Sequence, residues 1–153
     1  MDAQKWIDRH FALAFPIYFV LLWLGIATLI SYTGGWRTLS KSFRTEAPFQ
    51  GPAWRFQSGR MRGLIGYNNC LTVGASSDGL YLGVMFFLRF MHPPLFIPWS
   101  AVSVRTKRIW IFGERVTLTL GREVAIPLTI RGRLAGKLKA AAGNGWPLEA
   151  IQP

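Results

Sequence analysis

The sequence predicts a membrane-anchored α+β protein. One N-terminal transmembrane helix precedes a partly open antiparallel β-barrel of about seven strands, and a C-terminal helix caps the barrel. Three observations predict it. First, Phe11–Tyr32 (FALAFPIYFVLLWLGIATLISY) holds 22 residues without a charge, and a bilayer core needs roughly 20 apolar residues at about 1.5 Å of helical rise each. Second, from Phe56 the apolar period becomes twofold, with turn residues at short intervals. Third, Leu134, Leu138 and Ala141 return to helical spacing before Gly143-Asn144-Gly145, which is a helix stop.

Residues 1–10 read as a short polar flank in which Trp6 suits a membrane interface, as Tyr32 does at the far end of residues 11–32. His10 reads as a headgroup-level residue, and Pro16 marks a kink or a first turn. A cleaved signal peptide would have a shorter apolar region and small residues at its cleavage site. Ser31-Tyr32-Thr33 is a poor site, so the expectation is an uncleaved anchor. The chain carries a formal charge of +11, all of it beyond residue 32. Up to that point Lys5 and Arg9 balance Asp2 and Asp8; beyond it, sixteen basic residues face five acidic ones. The side richer in Lys and Arg next to a span stays in the cytoplasm. The expected topology is single-pass in the cell (inner) membrane, with the N-terminus outside and the C-terminal domain cytoplasmic.

Residues 33–55 read as an amphipathic helix and a linker. Trp36, Leu39, Ser40 and Phe43 recur at helical spacing, with Arg37, Lys41 and Arg44 between them. Two placements fit. The segment lies in the membrane surface with its cations toward anionic lipid, or its apolar residues pack on the folded domain. Glu46–Arg55, with two prolines and a glycine, reads as an extended connector.

The barrel is expected over residues 56–143, with a loose tail over 144–153. Phe56–Tyr67 reads as one strand bent at Gly63 or Gly66, and Asn68-Asn69 as a turn. Leu71, Val73 and Ala75 alternate with polar or small residues, Asp78-Gly79 supplies a hairpin turn, and Leu80, Leu82, Val84 and Phe86 form the next inward face. A short strand Leu95–Ile97 follows Pro93-Pro94. Val102 and Val104 begin another, and Trp110 and Phe112 continue its apolar set up to a turn at Gly113-Glu114. Val116, Leu118 and Leu120 form the cleanest strand, and Val124, Ile126 and Leu128 the last.

A chain with 7 Trp, 11 Phe and only 16% charged residues has enough to bury. Its one cysteine, Cys70, permits no intramolecular disulfide and reads as a small buried hydrophobe. Enzyme chemistry is not expected. Beyond the span there is one histidine, His92, and one aspartate, Asp78, already used in a turn. No nucleophile elbow, phosphate loop or metal-ligand set is present, so no cofactor or metal is expected.

Two groups of residues suggest contacts. Phe86, Phe87, Leu88, Phe90, Met91, Leu95, Phe96 and Ile97 place eight large apolar residues in twelve positions, with Arg89 and His92 among them. This hairpin dips into the membrane interface, or docks on a membrane protein, or is largely core. His92 is either a contact at its tip or a residue hydrogen-bonded to the backbone of the proline turn. Arg105, Lys107 and Arg108, with Arg115 and Arg122 on neighbouring turns, form a candidate cationic surface. Nucleic acid is the rival polyanion, discounted because no recognition helix is present and the tether restricts access.

Phe96-Ile97-Pro98-Trp99-Ser100-Ala101-Val102 and Asp78-Gly79-Leu80-Tyr81-Leu82 are similar to strands of the pleckstrin-homology-like superfold. Within it, Leu71–Leu138 resembles the GRAM-like and bacterial membrane-anchored versions, and the whole chain resembles small bacterial single-pass membrane proteins. The resemblance implies two bent sheets with a helix plugging one end, and no catalysis. In lipid-binding members, cations near strand–loop openings grip phosphorylated headgroups; no such motif is matched here residue by residue. The expected function is a membrane-tethered binding module that contacts anionic lipid or a membrane-protein partner. The alternative is a structural subunit of a larger membrane assembly.

Overall fold

A computed structural model describes residues 3–149. Helix α1 (Ala3–Thr33) is a single 31-residue helix that runs through Pro16. It takes in most of the flank expected to stand apart, and residues 1 and 2 lie outside the described residues. The helix is long and apolar enough to cross a membrane. Its surface is largely exposed; near its C-terminal end Ala27 and Ser31 are buried. Gly34 and Gly35 end it. Gly35 takes φ +83°, a left-handed turn that glycine adopts without a Cβ penalty, and α2 (Trp36–Phe43) follows it. Trp36 and Leu39 are buried in the barrel core. Of the two placements the sequence allows for this segment, packing on the domain is the one realised for its large apolar residues.

Strands β1 (Ala53–Met61), β2 (Ile65–Ala75), β3 (Gly79–Val84), β4 (Leu95–Pro98), β5 (Val102–Ile109), β6 (Gly113–Leu120) and β7 (Ile126–Arg131) form one curled antiparallel sheet. Its order is β4-β3-β2-β1-β7-β6-β5, so β4 and β5 are its edges and the barrel is half-open. Alternation sorts the residues. Val116, Leu118 and Leu120 of β6 and Ile126, Leu128 and Ile130 of β7 point inward, and the residues between them point out. Helix α3 (Gly132–Ala142) lays Leu134, Ala135, Leu138 and Ala142 across β2, β6 and β7, closing the core.

Several expected boundaries move. Phe56–Tyr67 is not one bent strand. The chain reverses at Arg62-Gly63-Leu64, with positive φ at Arg62 and Gly63, and makes the β1–β2 hairpin. Asn68-Asn69 is not the turn but lies inside β2. Asn69 does have φ +52°, yet the pairing absorbs it as an irregularity beside Ser58, whose hydroxyl accepts from the Asn69 amide at 2.9 Å. Ala53–Arg55, expected in the connector, belongs to β1. Phe86 leaves β3 for a 3₁₀ turn at Phe86–Leu88, and Val124 lies outside β7. The tail is not loose through residue 149. Trp146 packs on Trp99 with ring centroids 5.3 Å apart, and Glu149 pairs with Lys139 at 3.3 Å. Residues 150–153 lie outside the described residues.

Candidate functional site

The segment between β3 and β4, Met85–Pro94, runs back along the end of α1, and four contacts build the seam. The Ser31 hydroxyl donates to the Met91 carbonyl at 2.8 Å. The Trp23 and Phe87 rings lie 5.9 Å apart. From α2, the Trp36 indole N–H donates to the Pro93 carbonyl at 2.9 Å. His92 and Tyr67 are joined at 3.1 Å, and both rings pack edge-on or tilted against Trp36 or each other, with centroids 5.3–5.8 Å apart.

The expected contact residues divide. Phe87, Arg89 and Phe90 lie together on this segment and are exposed, as is Phe86, at 82%. Leu95 and Ile97 are core, so the apolar hairpin is half surface and half interior. Arg37, Lys41 and Arg44 are exposed on or just after α2. Arg37 sits over the Tyr32 ring at 4.7 Å, and Arg44 makes a solvent-exposed pair with Glu46, which adds little. Trp36 and His92, each 0% exposed, contradict their place among membrane or partner contacts. They are the buried lock that docks α2 on the 85–94 segment. Of the two readings of His92, a ligand at the tip or a histidine bonded to the backbone of the proline turn, the backbone one is realised.

The hydrogen bonds assign the His92 tautomer. The Leu88 carbonyl, 3.3 Å from Nδ1, only accepts, so Nδ1 carries the proton and Nε2 accepts from the Tyr67 hydroxyl. Burial holds the imidazole pKa below its usual 6.5, with the Leu88 carbonyl pulling the other way. Burial, with Cys70 nearby, pushes the Tyr67 hydroxyl upward. The lock is therefore neutral. Unfolded, His92 gains a proton near pH 6.5; folded, it resists. Stability from this group is thus full above pH 6.5 and falls as pH drops below it. The Tm of the wild type minus that of His92→Gln is expected to shrink between pH 7 and pH 5. A constant difference would show that His92 takes up its proton equally in both states. Cys70 is half-buried and burial raises its thiol pKa, so it is not an activated thiolate.

The expected cations also divide. Lys107 and Arg115 face each other across β5 and β6 and line a cavity of about 610 Å³ on the outer face of the sheet, together with Arg60 and Arg131. Arg105 has the same strand parity as Lys107, whereas Arg108 has the opposite one and stands across from Glu114. Arg122 donates to the Ser100 carbonyl at 2.9 Å, at the other end of β6. Sequence reasoning missed Arg60 and Arg131, which reach the cavity through strand pairing. It also missed the β5–β6 tip, where Trp110 is 99% exposed and Ile111 and Phe112 flank it; their apolar character reads as strand until the pairing places the turn there.

Comparisons with protein-family models, curated proteins and solved structures find no match.

Proposed function

We propose that this chain is a non-enzymatic single-pass protein of the cell (inner) membrane whose cytoplasmic barrel, of pleckstrin-homology-like type, is a binding module seated against the inner leaflet. The carrying observation is the pairing of Phe87 with Trp23 while Met91 is bonded to Ser31. Trp23 stands eight residues before Ser31, about 12 Å along a helix. With Tyr32 and Thr33 at the interface, Phe86, Phe87 and Phe90 enter the acyl region beside α1. Each buried phenylalanine contributes about 1.5–3 kcal/mol, and Arg89 extends its head back to the phosphates. Exposed Arg37, Lys41 and Arg44 add about 1 kcal/mol each toward anionic lipid. An uncleaved anchor is supported by the same seam, since cleavage near residues 31–33 would remove its α1 half. The seven antiparallel strands closed by a C-terminal helix support the barrel type. A second reading, a structural subunit docked on a membrane protein, is favoured by the exposed Trp110–Phe112 tip.

The test is thiol labelling from the cytoplasmic side. In a Cys70→Ala background, Phe86→Cys and Phe90→Cys are expected to resist a membrane-impermeant maleimide in inside-out vesicles and to react once detergent is added. Asp78→Cys, on the exposed β2–β3 turn, is the reactive control. Labelling of positions 86 and 90 in intact vesicles at the rate of position 78 would overturn the seating.

A further inference from the structure

We propose that the outer face of β1, β7, β6 and β5 is a binding site for a ligand carrying at least two phosphate-type anionic groups. The proposal does not rest on the membrane seating, because the face lies on four strands away from the Met85–Pro94 segment.

Strand register makes the site. Lys107 is directly opposite Arg115, and Arg115 directly opposite Arg131. Neighbouring strands stand about 4.8 Å apart, so these three cations span about 10 Å across the sheet. Like charges directly opposite one another destabilise a sheet. Arg60, on β1 beside Thr129 of β7, brings a fourth cation to the same cavity.

The protein does not neutralise this row. Among the described residues none of the four cations has an ion-pair partner. Glu114 lies over Gly132 at the start of α3, Glu149 is taken by Lys139, and Asp78 and Glu123 sit on other turns. An ordinary solvated basic face intersperses acids or spreads its charges. Here they converge on a cavity of about 610 Å³, within the size range of small-ligand sites.

The lining suits phosphate. Arg115, half-buried, and Arg131 present guanidinium forks that match two oxygens at once. Thr117 and Thr129, in the row beside Arg115 and Arg131 and next to Arg60, touch through their hydroxyls at 3.1 Å, which leaves the pair one free O–H donor. On the β1–β2 side, Gly63 and Gly66 carry no side chain into the cavity, which there is lined by Ser58, Arg60 and Asn68. Ile109 and Phe112 form an apolar rim, which lowers the local dielectric and strengthens the charge contacts. The phosphates could belong to an anionic phospholipid headgroup or to a soluble phosphorylated molecule; the chemistry recognised is the same.

The full chain in nanodiscs of purely zwitterionic lipid, at low salt, is titrated calorimetrically with tripolyphosphate. One saturable site is expected. Arg115→Gln and Arg131→Gln should each weaken it roughly tenfold or more. Arg133→Gln, on the exposed face of α3, removes the same net charge and should leave it within about twofold. Arg115→Lys keeps the charge but loses the fork, and should fall between wild type and Arg115→Gln. Without ligand, Arg115→Gln should melt at or above the wild-type temperature, because it relieves the repulsion in the empty row, and Arg115→Lys, which keeps the charge, should melt near it. Discs containing anionic lipid separate the sources: a competing headgroup weakens tripolyphosphate binding about tenfold, whereas a site for soluble ligand is nearly unaffected. Absence of saturable binding, equal weakening by Arg133→Gln, or a lower melting temperature for ligand-free Arg115→Gln would overturn the proposal.

Discussion

Trp36→Ala is expected to destabilise the full chain by about 4 kcal/mol or more, and to free α2 from the barrel. Trp36 is wholly buried, touches the Tyr67 and His92 rings, and bonds the Pro93 carbonyl. Removing a buried indole costs about 3–5 kcal/mol through lost burial and a residual cavity. A carbonyl left unpaired adds about 1 kcal/mol or more. For a barrel of this size that is a fall in Tm on the order of 15 °C or more, read by near-ultraviolet circular dichroism in detergent. Trp36→Phe keeps a ring and loses the hydrogen bond, and should cost about 1–3 kcal/mol. A loss below about 1 kcal/mol for the alanine variant would return Trp36 to the membrane-surface placement its amphipathic spacing also allowed.

Gly35→Ala has the second largest expected effect. Gly35 joins α1 to α2 with φ +83°, and a Cβ there would stand 2.5 Å from Ile126 Cδ1 and 3.1 Å from Arg62 Nε. The left-handed backbone costs a non-glycine residue about 1–2 kcal/mol. Ile126 is itself wholly buried, so it has little room to move, and forcing a methyl into a packed core costs about 1–3 kcal/mol more. Gly136→Ala is the contrasting case. That glycine lies inside α3 with open space where its Cβ would go, so alanine should stabilise by roughly 1 kcal/mol through helix propensity. Urea titration of both variants in the same detergent checks the opposite signs; destabilisation by Gly136→Ala would mean that α3 is held by a constraint other than its propensity.

The reading from sequence worked where the signal is local. The apolar run of α1, the Asp78-Gly79 turn, the alternation in β6 and the Gly143 stop of α3 each sit within a few consecutive residues. It failed where one local signal serves two structures. Asn68-Asn69 read as a turn, yet both residues lie inside β2, where Asn69 takes φ +52° without ending the strand. Leu95 and Phe90 belong to the same apolar cluster in sequence, yet one is core and the other 78% exposed. The β3–β4 pairing of Leu82 with Leu95 separates them, and Phe90 lies in the excursion that the pairing leaves out.

The amino-acid sequence by itself determined a helix long enough to cross a membrane, an antiparallel barrel class and a closing helix, because each is written as a short-range period of apolar residues. Tertiary structure alone decided that Trp36 and His92 form an internal lock, and that Phe87 meets Trp23. It alone decided that Lys107, Arg115 and Arg131 stand in one row. These are pairings between segments tens of residues apart, set by strand register and chain reversal, and a one-residue slip of register would have turned the cations to the opposite face.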